Sequence, residues 1–287
     1  MSARLKLPRH LARSARRAGR QAWLASLPGL VEEAADLWSL TVGEPFQPGG
    51  STSWVAPVRD AGGASLVLKI VWPHPEAAHE AAGLRAWAGQ GAIRLHAARD
   101  LAGARALLIE RCRPGTALSA RPETEQDPVI AALLRRLWIT PARGHPFPSL
   151  RQMCRQWAGE LEPAALDPLD PGLTRAGLAL WEELPDSTGN EVLLCTDLHA
   201  GNVLAASREP WLVIDPKPHV GDPAYDLLQH LLNCPGRLRS DPRGLARRMA
   251  GLAGLDPDRV LAWLFARCVL ESPGQPALAR VARAIAP

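Results

Sequence analysis

Val192-Leu193-Leu194-Cys195-Thr196-Asp197-Leu198-His199-Ala200-Gly201-Asn202-Val203-Leu204, followed by Trp211-Leu212-Val213-Ile214-Asp215-Pro216, is the stretch on which the reading of this chain turns. Its two apolar runs, Val192 to Leu194 and Trp211 to Ile214, have the length and composition of short buried strands. A polar loop carrying Asp, His, Gly and Asn separates them. Pro216 follows an acid and cannot continue a ladder. The expectation is one compact hairpin-like unit with Asp197, Asn202 and Asp215 at its strand edges.

Two carboxylates and an amide brought together repel, desolvate badly and attract a cation. Hard oxygen donors of this kind suit Mg²⁺ better than zinc. Phosphoryl transfer uses such a set: one acid orients the attacking hydroxyl, while an amide and a second acid hold metal on the nucleotide phosphates. The spacing Asp-x-x-x-x-Asn, then Asp after the next apolar run, matches that layout. Asp, Asn and Gly also favour Asx-type turns, so Asp197 to Asn202 alone would not decide the matter.

Working outward toward the N-terminus, Ser65-Leu66-Val67-Leu68-Lys69-Ile70-Val71-Trp72 is a clear strand. Lys69 inside it must either face solvent or hold a buried anion. Glu76 to Trp87 reads as a helix, and Glu80 is placed to reach back to Lys69. Before the strand, Gly43 to Gly50 surround Ser51-Thr52-Ser53, a Gly/Ser turn whose backbone N–H groups could cover phosphates or simply close a hairpin. Ile93 to Ala97 and Ala106 to Ile109 are further strands. Glu110-Arg111-Cys112-Arg113-Pro114-Gly115 then breaks the pattern. It reads as a linker whose first three residues could offer backbone hydrogen bonds to an adenine edge.

Beyond it the signal becomes helical: Val129 to Trp138, Leu150 to Leu161 and Leu173 to Leu184, then a helix to about Asn233 and others over 243–253, 258–270 and 276–285. The N-terminal forty residues carry a short basic helix and a second helical stretch, Gln21 to Leu40, broken at Pro28-Gly29. The reading is therefore α+β. Its parts are a basic helical extension (1–40), a β-rich nucleotide-binding lobe (41–110), a hinge (111–115) and a helical lobe with the catalytic and metal-binding loops (116–287).

The composition, 47% hydrophobic and 22% charged over 287 residues, is that of a soluble globular chain with room for two cores. Five scattered cysteines without C-x-x-C pairing argue against a disulfide framework or zinc site and fit a reducing cytoplasm. No apolar run approaches the roughly 18 residues of a spanning helix. The net charge of +4 is misleading. Arg4, Lys6, Arg9, Arg13, Arg16, Arg17 and Arg20 stand in an acid-free start, and without them 26 basic residues face 29 acidic ones. That arm lacks the aromatic interleaving of a stacking platform and reads as a docked or solvated segment.

Lys69, Glu80, Asp197-Leu198-His199-Ala200-Gly201-Asn202, Asp215-Pro216 and Gly221-Asp222-Pro223-Ala224-Tyr225-Asp226-Leu227 resemble the aminoglycoside phosphotransferase family, which has a protein-kinase-like two-lobed fold. The segments Trp23 to Pro28, Gly89 to Leu95, Leu107 to Thr116 and Ile214 to Lys217 resemble its aminoglycoside/hydroxyurea antibiotic-resistance branch, which includes streptomycin 6-kinases. The resemblance implies ATP-dependent phosphorylation of a hydroxyl. Asp197 would orient the acceptor and take its proton, and Asn202 and Asp215 would hold Mg²⁺. Lys69, fixed by Glu80, would hold the phosphates under Ser51, Thr52 and Ser53, with adenine at Glu110, Arg111 and Cys112. One departure stands out: Cys195-Thr196 occupies the place of the usual His-Gly. The activation segment of protein kinases is missing, which points to a small-molecule acceptor.

A cationic aminoglycoside would need acids beside the transfer site. Asp222, Asp226 and Glu271 are candidates, with His199, as are the acids of the connection from Glu160 to Asp170 (Glu160, Glu162, Asp167 and Asp170). Each could equally be a cap or a surface acid. The expected partner is thus a small molecule, with no nucleic acid or membrane, on a monomer or weak dimer. A catalytically silent nucleotide-binding protein, and a kinase of another metabolite, stay open.

Overall fold

The computed structural model describes residues 5–160 and 169–287. The chain divides into two compact units, Met1–Gly115 and Thr116–Pro287.

In the first unit, helices α1 (Arg9–Arg17) and α2 (Gln21–Trp38) precede strands β1 (Thr41–Val42), β2 (Ser53–Arg59) and β3 (Ser65–Val71). Helix α3 (Glu80–Trp87) and strands β4 (Leu95–Leu101) and β5 (Ala104–Glu110) follow. The strands form an antiparallel sheet in the order β1-β2-β3-β5-β4. Side chains alternate across a strand, so each face is readable from the period of two. Trp54, Ala56, Val58, Leu66, Leu68, Ile70, Ala106 and Leu108 lie on one face. They pack with Leu11, Ala15, Trp23, Leu27, Leu30, Val31 and Ala34 of α1 and α2.

Three expectations change here. Helices α1 and α2 are part of this unit's core rather than an appendage, and the arginines of α1 ride on a helix whose Leu11 and Ala15 are fully buried. Arg4 of the basic arm lies outside the described residues. Pro28 does not break α2, although an internal proline costs about 3 kcal/mol. The buried stripe from Trp23 to Ala34 holds the helix through it. The helix expected from Glu76 starts later, with a single 3₁₀ turn at Pro75–Ala77 before α3.

The second unit contains α4 (Glu123–Leu137), α5 (Leu150–Gly159), α6 (Pro171–Glu183), β6 (Val192–Leu194), β7 (Val203–Ala205), β8 (Trp211–Val213) and β9 (His219–Gly221). Then come α7 (Leu228–Leu232), α8 (Pro235–Ser240), α9 (Pro242–Ala253), α10 (Pro257–Glu271) and α11 (Pro276–Ile285). Helix α10 is buried nearly all round, as expected of a helix that other helices enclose. Gly177 of α6 lets the two helices meet closely: a Cβ there would stand 2.6 Å from Val269. Much of the chain's tryptophan gathers here. Trp181 and Trp263 meet edge-on, each also against Tyr225, while Trp157 stacks on Trp181 and carries the Arg267 guanidinium 4.2 Å above its ring.

The expected hairpin between the two apolar runs does not form. Val192–Leu194 pairs with His219–Gly221, and Trp211–Val213 pairs with Val203–Ala205. Two short antiparallel ladders share the polar loop, and each run finds a partner that its own sequence does not announce.

Candidate active site

Lys69 is the fifth residue of β3, on the face opposite the α1–α2 core. Its Nζ donates to both carboxylate oxygens of Glu80, at 2.8 and 2.7 Å. Their side chains are 6% and 2% exposed. Of the two options open to a lysine in an apolar strand, this is the buried anion. Glu80 is the first residue of α3, where the helix dipole also favours a negative charge.

Also in this unit, Ser51 and Thr52 sit in the connection between β1 and β2, and Ser53 is the buried first residue of β2. Glu110 ends β5, and its side chain accepts from the Arg94 amide at 2.9 Å. Arg111 and Arg113 both donate to Ser65, and Cys112 is half-buried.

In the second unit the catalytic loop is built from the backbone outward. Antiparallel pairing of β7 with β8 places Asn202, just before the first strand, beside Ile214, just after the second. The Ile214 amide donates to the Asn202 carbonyl at 2.9 Å. Asp215 is therefore delivered next to Asn202, in a left-handed conformation at φ 53°. The Asn202 amide donates to the Asp197 carbonyl at 3.0 Å and approaches its carboxylate at 3.4 Å. The backbone thus brings the three residues singled out in the sequence into one loop system. With its NH₂ committed to Asp197, Asn202 has its carbonyl oxygen to offer a cation. Among the described residues no group of three or more His, Cys, Asp or Glu side chains could hold a metal. A site of one amide and one or two carboxylates fits Mg²⁺, which keeps waters and takes phosphate oxygens for its remaining positions.

Asp226 secures the loop from beneath. Its carboxylate accepts from the Cys195 amide at 2.9 Å, the Thr196 amide at 2.6 Å and the Trp138 indole at 3.0 Å. Burial pushes its pKa up to about 6, against the pull of those donors. Cys195 is fully buried, and burial drives its thiol well above the ordinary range. Thr196 is held at φ 52°, a region a β-branched residue enters at a cost of about 1–3 kcal/mol. Its hydroxyl donates to the Lys217 carbonyl at 2.5 Å, and the Lys217 amide donates to the Cys195 carbonyl at 2.9 Å. The Lys217 ammonium lies 3.1 Å from Asp197 Oδ2. In the sequence Lys217 drew notice only as part of the Ile214–Lys217 segment. No periodicity marks it, and only the short spacing from Asp215 could have raised it.

The substrate candidates fare differently. Asp226 is buried and committed to the loop, so it is not a substrate acid. Asp222 is buried too. It accepts from the Ala224 amide, from Arg259 at 2.6 Å and from the Trp263 indole, opening the turn at Pro223 as a cap and tying it to α10. Glu271 accepts from Arg267 and Gln275. His199 caps the turn Ala200–Asn202 through Nδ1, which accepts from the Gly201 amide at 3.1 Å, and burial holds its imidazole below the ordinary range. Asp170 caps α6. Glu162 and Asp167 lie outside the described residues.

The family model described as aminoglycoside/hydroxyurea antibiotic resistance kinase matches residues 38–275. A hydroxyurea phosphotransferase of Kitasatospora aureofaciens is 37% identical over 261 residues, covering 88% of this chain and 74% of that protein. A streptomycin 6-kinase of Streptomyces griseus is 37% identical over 279 residues, 92% of this chain and 88% of that one. Among solved structures, the aminoglycoside phosphotransferase APH(4)-Ia, in a ternary complex with ADP and hygromycin B, shares the fold. Its TM-score is 0.57 at 16% identity, over 88% of this chain and 96% of that one.

Proposed function

Because this chain belongs to the aminoglycoside/hydroxyurea antibiotic resistance kinase family and is a small-molecule kinase, we propose that it transfers the γ-phosphoryl group of ATP to a hydroxyl of a streptomycin-type aminoglycoside. The observation that carries this reading is the convergence of Asp197, Asn202 and Asp215 in one loop system. The acceptor oxygen forms the new bond to the γ-phosphorus. The bond from that phosphorus to the β,γ-bridging oxygen breaks, ADP leaves, and the hydroxyl proton passes to the Asp197 carboxylate. Asp197 contributes mostly by aiming the hydroxyl, since a loose transition state asks for little proton abstraction early on. Asn202 and Asp215 are the residues that would hold Mg²⁺, which when bound neutralises charge on the phosphates. Lys69, oriented by Glu80, would pair with the nucleotide phosphates, with Ser51 to Ser53 over them and residues 110 to 112 at adenine.

A second acceptor, hydroxyurea, is favoured by one observation. Asp222, Asp226 and Glu271 are engaged within the fold, which leaves fewer acids for a polycation than the sequence promised. No helix among the described residues is long and apolar enough to cross a membrane, and the five cysteines are free. The free cysteines support a protein working in a reducing compartment such as the cytoplasm. The test is purified protein with ATP and Mg²⁺, offered streptomycin, hydroxyurea and other aminoglycosides, with the acceptor's mass as readout. A gain of one phosphate on streptomycin is the expected result. A gain on hydroxyurea alone selects the second acceptor, and ATP binding without transfer to any of them overturns both acceptor assignments.

A further inference from the structure

We propose that Lys217 is a catalytic residue that meets the transferred phosphoryl group, and that Thr196 is the positioning residue that seats it. The inference rests on the kinase reading above and goes beyond it. The ammonium of Lys217 stands 3.1 Å from Asp197, the group assigned to aim the acceptor hydroxyl. A cation beside that carboxylate is within a side chain's reach of the phosphorus the hydroxyl attacks. During transfer, negative charge spreads over the three equatorial phosphoryl oxygens, and a fixed cation beside them lowers the barrier. The Lys217 side chain is 30% exposed and that of Asp197 16%. A pair this open adds little to stability, so its placement calls for another explanation.

The seat is a two-bond bridge between backbone segments. The Lys217 amide donates to the Cys195 carbonyl, and the Thr196 hydroxyl donates to the Lys217 carbonyl. Together they fix the backbone of the lysine against the strand end that precedes Asp197. The Thr196 hydroxyl also lies 3.4 Å from His219 Nδ1, and that ring nitrogen is 3.0 Å from the Lys217 carbonyl. Thr196 holds this post at φ 52°, where glycine would sit without strain. A threonine kept in such a conformation is retained for its hydroxyl, and that hydroxyl reaches Lys217.

The experiment compares steady-state kcat and KM, with ATP and acceptor each varied, for four variants and the parent, together with thermal melting. Lys217→Met should lower kcat about 10²-fold, with KM for ATP and acceptor within about twofold and melting unchanged. Lys217→Arg should recover part of that loss by keeping the charge. Thr196→Ser should stay within about threefold of the parent, because the hydroxyl remains. Thr196→Gly should melt higher than the parent yet turn over more slowly, a combination a merely structural role does not produce. Lys217→Met at the parental rate, a loss confined to KM, or Thr196→Gly with parental kcat would each overturn the proposal while leaving the kinase reading intact. A parent that transfers phosphate to no acceptor would overturn both.

Discussion

The molecule contains two lysine–carboxylate pairs of the same chemistry in opposite settings. Lys69 and Glu80 are sealed between β3 and α3, with both carboxylate oxygens engaged. Lys217 and Asp197 face each other at a loop, through one oxygen and partly in water. Burying a charge pair costs desolvation, so the first is sustained by the completeness of its contacts, and removing either partner is costly. The second costs little to form and little to lose, and its groups stay available to something else. Burial makes the first pair a joint that fixes where its lysine points; partial exposure leaves both groups of the second within reach of a substrate.

The sharpest way to break this contrast is at Asp197. Asp197→Asn should reduce turnover at least about 10³-fold in steady-state assays while thermal melting barely moves. A comparable fall in stability would mean the open pair is also a joint. Glu80→Ala should weigh on the fold instead, costing about 3–5 kcal/mol in urea unfolding because it removes the buried carboxylate that receives Lys69 Nζ through both oxygens. Replacing both partners with apolar residues, Lys69→Met with Glu80→Leu, should restore most of that stability and none of the activity.

A buried acid without a cation partner sharpens the comparison further. Asp226 has its pKa raised to about 6 by burial. The folded state therefore holds this proton more tightly than the unfolded chain does. Its contribution to stability is complete below about pH 4, is lost as pH rises to about 6, and stays constant above that. Asp127, also buried, accepts from His230, Arg237 and Arg248. Burial alone would raise its pKa, but these donors hold it well below the carboxylate range, so its contribution is present above about pH 4 and lost in acid. Urea melts should show Asp226→Asn losing about 1–3 kcal/mol at pH 4 and less at pH 7. Asp127→Asn should show the opposite trend, losing more at pH 7 than at pH 3. The smallest effect belongs to Lys217→Met, whose unfolding free energy should change by less than about 1 kcal/mol.

The closed pair was legible in the sequence and the open one was not, for a physical reason. A lysine inside an apolar strand creates a demand, and a glutamate eleven residues on, across a turn, can meet it. Lys217 sits in a polar loop after a proline, where a charge needs no explanation. Asp197, Asn202 and Asp215 were legible because their types and spacing carry the chemistry. The ladder that brings Asn202 to Asp215 was misread, since short apolar runs do not state their partners. Asp222 and Asp226 stayed open between substrate acid and cap or structural acid, because an acid followed by proline, or inside a short helix, looks the same in sequence whether it meets solvent or an indole. Gly177 gave no warning either: its meaning lies in Val269, ninety-two residues away.

The helices of the first forty residues bear on how this gene product is handled. The family match begins at residue 38, past α1 and nearly all of α2. An expression clone cut to that boundary would strip the lid from Trp54, Leu68, Ile70 and their neighbours, and bare a greasy sheet to the cytosol. Such a clone is expected to collect in inclusion bodies, and its silence in an assay would say nothing about catalysis.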